Sequence, residues 1–170
     1  NDLICVTGDL GASYAGLLVL KREEQTFLAN PNFQPDLQAY DYVIERQLKP
    51  EAKKLIIETL NKHQIVPNSM IDISDGLTSE LLHISKQSGT GFKIFENKIP
   101  IDQQTISVAE EFNLAPLTMA LNGGEDYEVL FTVDLKHHDI LKNIEGVSII
   151  GHVTQNIGEH YLITNAEQAI

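Results

Sequence analysis

The chain has 170 residues, a length typical of one domain with a real core, and its 24 Asp and Glu against 12 Lys and Arg give a formal net charge of −12. This balance disfavours binding to nucleic acid or to an anionic membrane. No apolar run reaches the roughly 18 residues of a membrane span. No signal peptide opens the sequence, and the single cysteine, Cys5, fits a small core residue, so a cytoplasmic location is expected.

The first strand is predicted over Leu3 to Thr7, an apolar run typical of a central strand buried on both faces. Because the chain enters this strand at once, without an initiator Met, we expect a fragment, such as one domain of a longer protein, or a processed product. Gly8-Asp9-Leu10-Gly11 then turns into a helix from about Ala12 to Lys21. The two glycines could bring backbone N–H groups near an anion, but no Walker sequence follows.

Two helices are predicted after a proline-rich loop at 30–36. They cover 37–48 and Pro50 to about His63, with Pro50 in the first turn. The buried stripe of the second helix is predicted to be Ala52, Leu55, Ile56, Thr59 and Leu60. We expect Lys53 and Lys54 only to solvate its outer face.

The stretch from Met70 to Leu77 predicts a short strand that turns sharply into a helix. Alternation points its isoleucines toward a core and places Asp72 and Ser74 on the other face. Asp75 fits the N-cap of a helix that runs to about Ser88. Two carboxylates and a hydroxyl thus converge where a strand ends, a place where ligands bind in α/β sheets.

The rest of the chain mixes strands and helices. Strands are predicted at 92–95, 127–133, 147–153 and 161–164, and helices at 102–112, 116–121 and 135–143. Because helices come in pairs instead of alternating regularly with strands, we expect an α+β fold, a mixed sheet covered by helices. No repeat or internal boundary is visible, so residues 1–170 are predicted to form one domain.

The acidic pairs indicate a divalent cation. Asp72 and Asp75 lie three apart across a turn, and Glu125 and Asp126 follow two glycines. Carboxylates about 4 Å apart repel by roughly 4 kcal/mol at an effective dielectric of about 20, which favours a bound cation or a protonated carboxyl. Such oxygen ligands suit Mg²⁺, and Ser74 could add a hydroxyl. The residues alone leave another possibility open, a non-catalytic chain whose acidic turns are helix caps.

Other chemistries lack support in the sequence. The histidines show no zinc-type spacing, no Gly-x-Ser-x-Gly elbow is present, and Cys5 has no evident partner. Only two arginines, Arg22 and Arg46, could grip a phosphate bidentately. Metal ions or another polypeptide would have to supply much of the positive charge for a phosphorylated ligand.

Three motifs together resemble thiamine-monophosphate kinases in order and rough spacing: Val6-Thr7-Gly8-Asp9-Leu10-Gly11, Ile71-Asp72-Ile73-Ser74-Asp75-Gly76-Leu77 and Gly123-Gly124-Glu125-Asp126-Tyr127-Glu128. The strand at 149–153 is similar too. The resemblance is to the C-terminal domain, the half related to aminoimidazole ribonucleotide synthetase. It implies phosphorylation of thiamine monophosphate by ATP with Mg²⁺ to give thiamine diphosphate. Selenophosphate or aminoimidazole ribonucleotide synthetase types are the alternatives within this superfamily.

The resemblance also implies site residues. Asp72 and Asp75 would bind Mg²⁺, and Ser74 would touch ATP. Glu125 would lie at the thiamine phosphate site. Weaker candidates for substrate binding flank it, Gly124 and Asp126. No catalytic residue is assigned with certainty.

The family's other half would carry further metal ligands and most of the nucleotide-binding residues. The partners implied are therefore ATP, thiamine monophosphate, the protein's own N-terminal domain, and a second copy in a full-length homodimer. Without that N-terminal domain we expect the chain to be nearly inactive. The family's C-terminal tail places an aromatic residue near the thiamine ring, and we expect no counterpart of it before Ile170.

Overall fold

The structure is a computed structural model that describes residues 1–32, 34, 35 and 37–164. Within these residues the strands are β1 (Leu3–Thr7), β2 (Ser69–Ile73), β3 (Gly91–Phe95), β4 (Glu128–Val133), β5 (Val147–Thr154) and β6 (His160–Ile163). The helices are α1 (Ala12–Ala29), α2 (Asp41–Leu48), α3 (Lys54–Lys62), α4 (Leu77–Ser88), α5 (Gln103–Glu111), α6 (Pro116–Asn122) and α7 (His138–Leu141). None of these helices combines the length and apolar character that crossing a membrane requires.

The strands form one mixed sheet in the order β2-β4-β1-β5-β3-β6. Neighbours pair antiparallel except β3 and β6, which are parallel. The central strand β1 is buried along its whole length, because helices cover both faces of the sheet around it. The predicted α+β fold and the predicted central strand are confirmed.

Side-chain alternation along the strands divides the core into two layers. Ile4 and Val6 face a layer shared with α4 and α6, whereas Leu3 and Cys5 face a layer shared with α3 and α7. A third cluster joins α1 to α2, α5 and α6. Gly16 lets α1 approach α2 closely, since a Cβ there would lie 2.1 Å from the Val43 carbonyl oxygen.

The helix predicted from Pro50 begins late. α3 starts at Lys54, and residues 50–53 run irregularly beside the sheet. The predicted buried stripe is also wrong in part. Leu60 is buried and Ile56 packs against the core, but Leu55 and Ala52 are exposed. A helix this short faces the sheet with one narrow stripe, which Ile56 and Leu60 fill at i and i+4.

Three other predicted helices have different bounds in the structure. α1 continues to Ala29, eight residues past the predicted end at Lys21. Within this extension Arg22 pairs with Glu111, the last residue of α5. Residues 37–48 divide into a 3₁₀ turn (Gln38–Tyr40) and α2, and residues 135–143 into a 3₁₀ turn (Leu135–His137) and α7. Of the loop predicted at 30–36, positions 33 and 36 lie outside the described residues.

Candidate functional site

Two acidic bends lie side by side at one end of the β2–β4 pair. The Glu125 amide donates a 2.7 Å hydrogen bond to the Ser74 carbonyl, and the Tyr127 amide donates a 2.9 Å bond to the Ile73 carbonyl. These bonds continue the ladder in which Ile73 pairs with Glu128. The bend at 72–75 and the bend at 124–126 therefore form one surface, as a shared site requires.

Glycines make this close approach possible. Gly124 has φ +70°, and a Cβ there would lie 2.6 Å from the Ser74 carbonyl oxygen. Gly76 has φ +108°, and a Cβ there would lie 2.8 Å from the Leu121 carbonyl oxygen. Both positions combine a backbone conformation that favours glycine with contacts that exclude a side chain.

The predicted N-cap role of Asp75 is wrong. Gly76 is the N-cap of α4, and no side chain caps the helix there. Instead the Asp75 amide donates a 3.0 Å bond to Oε1 of the buried Glu80, which reaches back from the first turn of α4. The positive φ of Gly76 separates Asp75 from the helix end. Its carboxylate is left exposed, where a ligand can reach it.

The predicted site residues divide into exposed and buried groups. Asp72, Asp75 and Glu125 are exposed, and Ser74 is half-buried. Among the residues that the structure describes, no three His, Cys, Asp or Glu side chains converge on one point as a protein-only metal cage would. Mg²⁺ commonly takes one or two carboxylates and completes its shell with water and phosphate oxygens, so this donor set fits it.

Tyr127 is a site residue that pattern reading missed. The predicted alternation placed it in the strand, but β4 begins at Glu128 and Tyr127 has φ +50° with an exposed ring. The neighbouring Glu125 carboxylate raises the pKa of the Tyr127 phenol, and the Asp72 charge adds to the effect. Tyr127 therefore lies near carboxylates of both acidic bends. It also lines a cleft of about 340 Å³ with Asp72 and Val129.

Asp126 points inward, unlike its neighbour Glu125. It is 1% exposed, and its two oxygens accept from the amides of Gly11 (2.8 Å) and Ser13 (3.2 Å) at the start of α1. An anion does sit at the turn formed by the first two glycines, as the sequence suggested, and it is the protein's own carboxylate. Burial raises the pKa of Asp126 to about 6, although these two hydrogen bonds act to lower it.

Glu128 forms a buried ionic cluster behind the bends. Its 1% exposed carboxylate contacts Arg46 Nη2 at 2.8 Å and Lys53 Nζ at 2.7 Å, and it accepts from the Thr7 hydroxyl. Gly8 leaves the necessary room, since a Cβ there would lie 2.2 Å from Oε1. The prediction that Lys53 only solvates a helix face is therefore wrong, because its side chain crosses to the sheet.

Both arginines contact acceptors within the chain. Arg46 Nη2 also donates to the carbonyls of Asp9 (3.2 Å) and Asp126 (3.4 Å). Tyr42 donates to the Asp9 carboxylate, whose pKa is raised by burial. Arg22 pairs with Glu23 in α1 and with Glu111, the last residue of α5. Both guanidinium groups therefore already have acceptors.

Sequence comparison finds named relatives, although no family model matches the chain. A thiamine-monophosphate kinase of Buchnera aphidicola subsp. Acyrthosiphon pisum is 39% identical over 159 residues, which are 91% of this chain and 45% of the relative. That of Methanocaldococcus jannaschii is 32% identical over 169 residues, 98% of this chain and 50% of the relative. The chain spans about half the length of the curated relatives it matches.

Comparison with solved structures finds proteins of the same name. Thiamine monophosphate kinase from Aquifex aeolicus superposes with a TM-score of 0.77 at 28% identity, over 99% of this chain and 51% of that one. AaThiL complexed with AMPPCP and TMP superposes with a TM-score of 0.75 at 27% identity, over 99% and 48%. The hydrogenase maturation protein HypE of E. coli shares the fold, with a TM-score of 0.69 at 18% identity over 99% and 48%. By sequence and by fold, the chain is similar to about half of a thiamine-monophosphate kinase.

Proposed function

We propose that this chain is the C-terminal domain of a two-domain kinase that transfers a phosphoryl group from ATP to thiamine monophosphate, with Mg²⁺, to give thiamine diphosphate. The relatives' name and the AaThiL complex with an ATP analogue and TMP support this activity. The observation that carries it is the hydrogen bond between Glu125 and Ser74, because it makes one surface of two acidic bends.

Each residue at the bends has a proposed role. Asp72 and Asp75 would hold Mg²⁺, whose charge would make the meeting of two anionic phosphates tolerable. The Ser74 hydroxyl would donate to a phosphate oxygen of the nucleotide. Glu125 would orient the acceptor, beside the Tyr127 phenol.

Asp126 and Gly124 would position these groups. Asp126 joins the second bend to the start of α1, and Gly124 permits contact between the bends. Arg46 joins the same bend to α2 through the Asp126 carbonyl. The bends therefore rest on buried polar contacts to two helices, which suits a site that must hold its geometry.

The proposal includes partners that the chain does not contain. We place the remaining nucleotide-binding and metal-binding groups in an N-terminal domain, and the dimer contact there as well, because the chain spans only half of its relatives. We keep the cytoplasm as the proposed compartment, since the one cysteine is a buried thiol in β1.

The test uses the two-domain protein and replaces Asp72 by Asn. At saturating Mg²⁺ we expect turnover to fall by about a hundredfold or more, since a lost ligand removes stabilisation needed in the transition state. Asp139→Asn is the matched control, because this exposed aspartate lies on α7, outside the site. An unchanged rate for Asp72→Asn would defeat the metal assignment.

Two further measurements separate the alternatives. The chain alone should be nearly inactive, and mixing it with the N-terminal half should restore formation of thiamine diphosphate. Assays of the two-domain protein with a panel of phosphate acceptors would reveal whether it has the activity of a different member of the superfamily. Calorimetry that detects no binding of Mg²⁺–nucleotide to the recombined halves would favour a non-catalytic chain.

A further inference from the structure

Lys53 lies where the cleft beside the bends meets the buried ionic cluster. Its ammonium is 2.7 Å from Glu128 Oε1, and 19% of its side chain is exposed. The cleft is lined by residues 50–53 and by Asp72, Tyr127 and Val129. A cation therefore shares a cleft with one of the proposed Mg²⁺ ligands, Asp72.

The cluster holds this cation in place. Glu128 is one carboxylate shared by two cations, Lys53 and Arg46, and it accepts a hydrogen bond from the Thr7 hydroxyl. The Glu128 contact uses one of the three N–H donors of the ammonium. Because Lys53 also lines the cleft, the two other donors are available to a ligand there.

We propose that Lys53 is a binding residue for the phosphate monoester of the acceptor substrate. This inference rests on the proposed function and deepens it. The acceptor is favoured over the nucleotide because the cleft also contains Tyr127, which lies two residues after the proposed acceptor residue Glu125. A lysine ammonium suits a phosphate as a compact point charge.

Charge pattern supports this assignment. A phosphate in the cleft would lie near the Lys53 ammonium and near a cation held by Asp72, and these two positive charges would offset the Glu51 carboxylate that also lines the cleft. Such an arrangement of charges is what an acidic protein needs in order to bind an anion. Glu128 would act as a positioning residue, since it touches Lys53 and lies out of reach of the substrate.

The experiment compares Lys53→Met, Lys53→Arg and Lys54→Met in the two-domain protein. Lys54 is the control because it is the next residue, its side chain is 81% exposed, and it pairs only on the surface with Glu58. We expect Lys53→Met to raise KM for thiamine monophosphate about tenfold or more, and KM for ATP by less than about threefold. Lys53→Arg should recover most of the loss, and Lys54→Met should match the wild type.

A second measurement uses the wild-type protein, so it does not depend on how a variant folds. Thiamine monophosphate should protect Lys53, but not Lys54, from an amine-reactive reagent, as read by peptide mass spectrometry. Equal labelling of Lys53 with and without the ligand, or an unchanged acceptor KM in Lys53→Met, would overturn the inference. A wild-type protein without kinase activity would instead overturn the proposed function.

Discussion

The Glu125 amide and the Ser74 carbonyl oxygen are 2.7 Å apart, and this one hydrogen bond joins two motifs that are about fifty residues apart in the chain. It extends the β2–β4 ladder past the last paired residues. Because the strands bring the bends together, the C-terminal end of β2 and the N-terminal end of β4 define the site. The contacts of Asp126 with α1 and with Arg46 on α2 then hold the second bend in place.

The contact between the bends depends on Gly124, which gives the first prediction. Gly124→Ala would place a methyl group 2.6 Å from the Ser74 carbonyl at a backbone φ of +70°. We expect the bends to separate, with a loss of about 1–3 kcal/mol in unfolding free energy and at least about a tenfold loss of turnover in the two-domain protein. Urea unfolding and steady-state assays measure the two effects.

Gly158→Ala is the control, because nothing lies within 4 Å of a Cβ at that position. It should change neither stability nor turnover appreciably. If Gly124→Ala kept wild-type turnover, the close contact would not be needed for the proposed chemistry.

The buried cluster gives the second prediction. Glu128→Gln removes the negative charge that Arg46 and Lys53 share in a buried setting. Breaking a buried pair at one partner leaves the other charge uncompensated, so we expect a loss of about 3–5 kcal/mol in the free energy of unfolding. Chemical unfolding of this chain measures it.

The matched control is Glu111→Gln, which breaks the exposed contact of Glu111 with Arg22. That change should cost about 1 kcal/mol or less, because solvent screens exposed pairs. Equal effects of the two substitutions would mean that burial does not determine the contribution of Glu128.

Local sequence patterns were sufficient to predict most of the strands and the acidic bend at 72–75. The isoleucines of β2 alternate with polar residues, and Ile71 and Ile73 do pack against the core while Asp72 is exposed. The apolar run of β1 indicated a strand buried on both faces, and it is one. These features depend on neighbours within a few residues, so the sequence alone contains them.

What the sequence could not reveal depends on long-range contacts. The Asp126 carboxylate caps the start of α1 across 115 residues, and Lys53 leaves its predicted helix to reach Glu128 on β4. The prediction for Asp75 failed because the φ of Gly76 determines where the helix is capped. The residue type suggested a role in each case, but a contact with a distant residue determined the role that the side chain has in the structure.

The pH dependence of stability gives the third prediction. Burial raises the pKa of Asp126 from 3.8 to about 6, so the unfolded chain releases this proton at lower pH than the folded protein does. The stabilisation linked to the protonated carboxyl is complete below about pH 4 and is lost as pH rises to about 6. Relative to Asp126→Asn, which does not titrate, the wild type should lose on the order of 2–3 kcal/mol over that window.

Urea unfolding at several pH values across this window measures the difference between the two proteins. Asp134→Asn is a control of opposite sign, because Lys136 lowers the pKa of Asp134 and its contribution is lost as pH falls. Its effect should be small, since the pair is exposed and screened. Parallel stability curves for the wild type and Asp126→Asn would show that the buried carboxyl does not titrate in this window. The pH dependence would then have to come from another buried acid, of which Asp9, with its raised pKa, is the first to test.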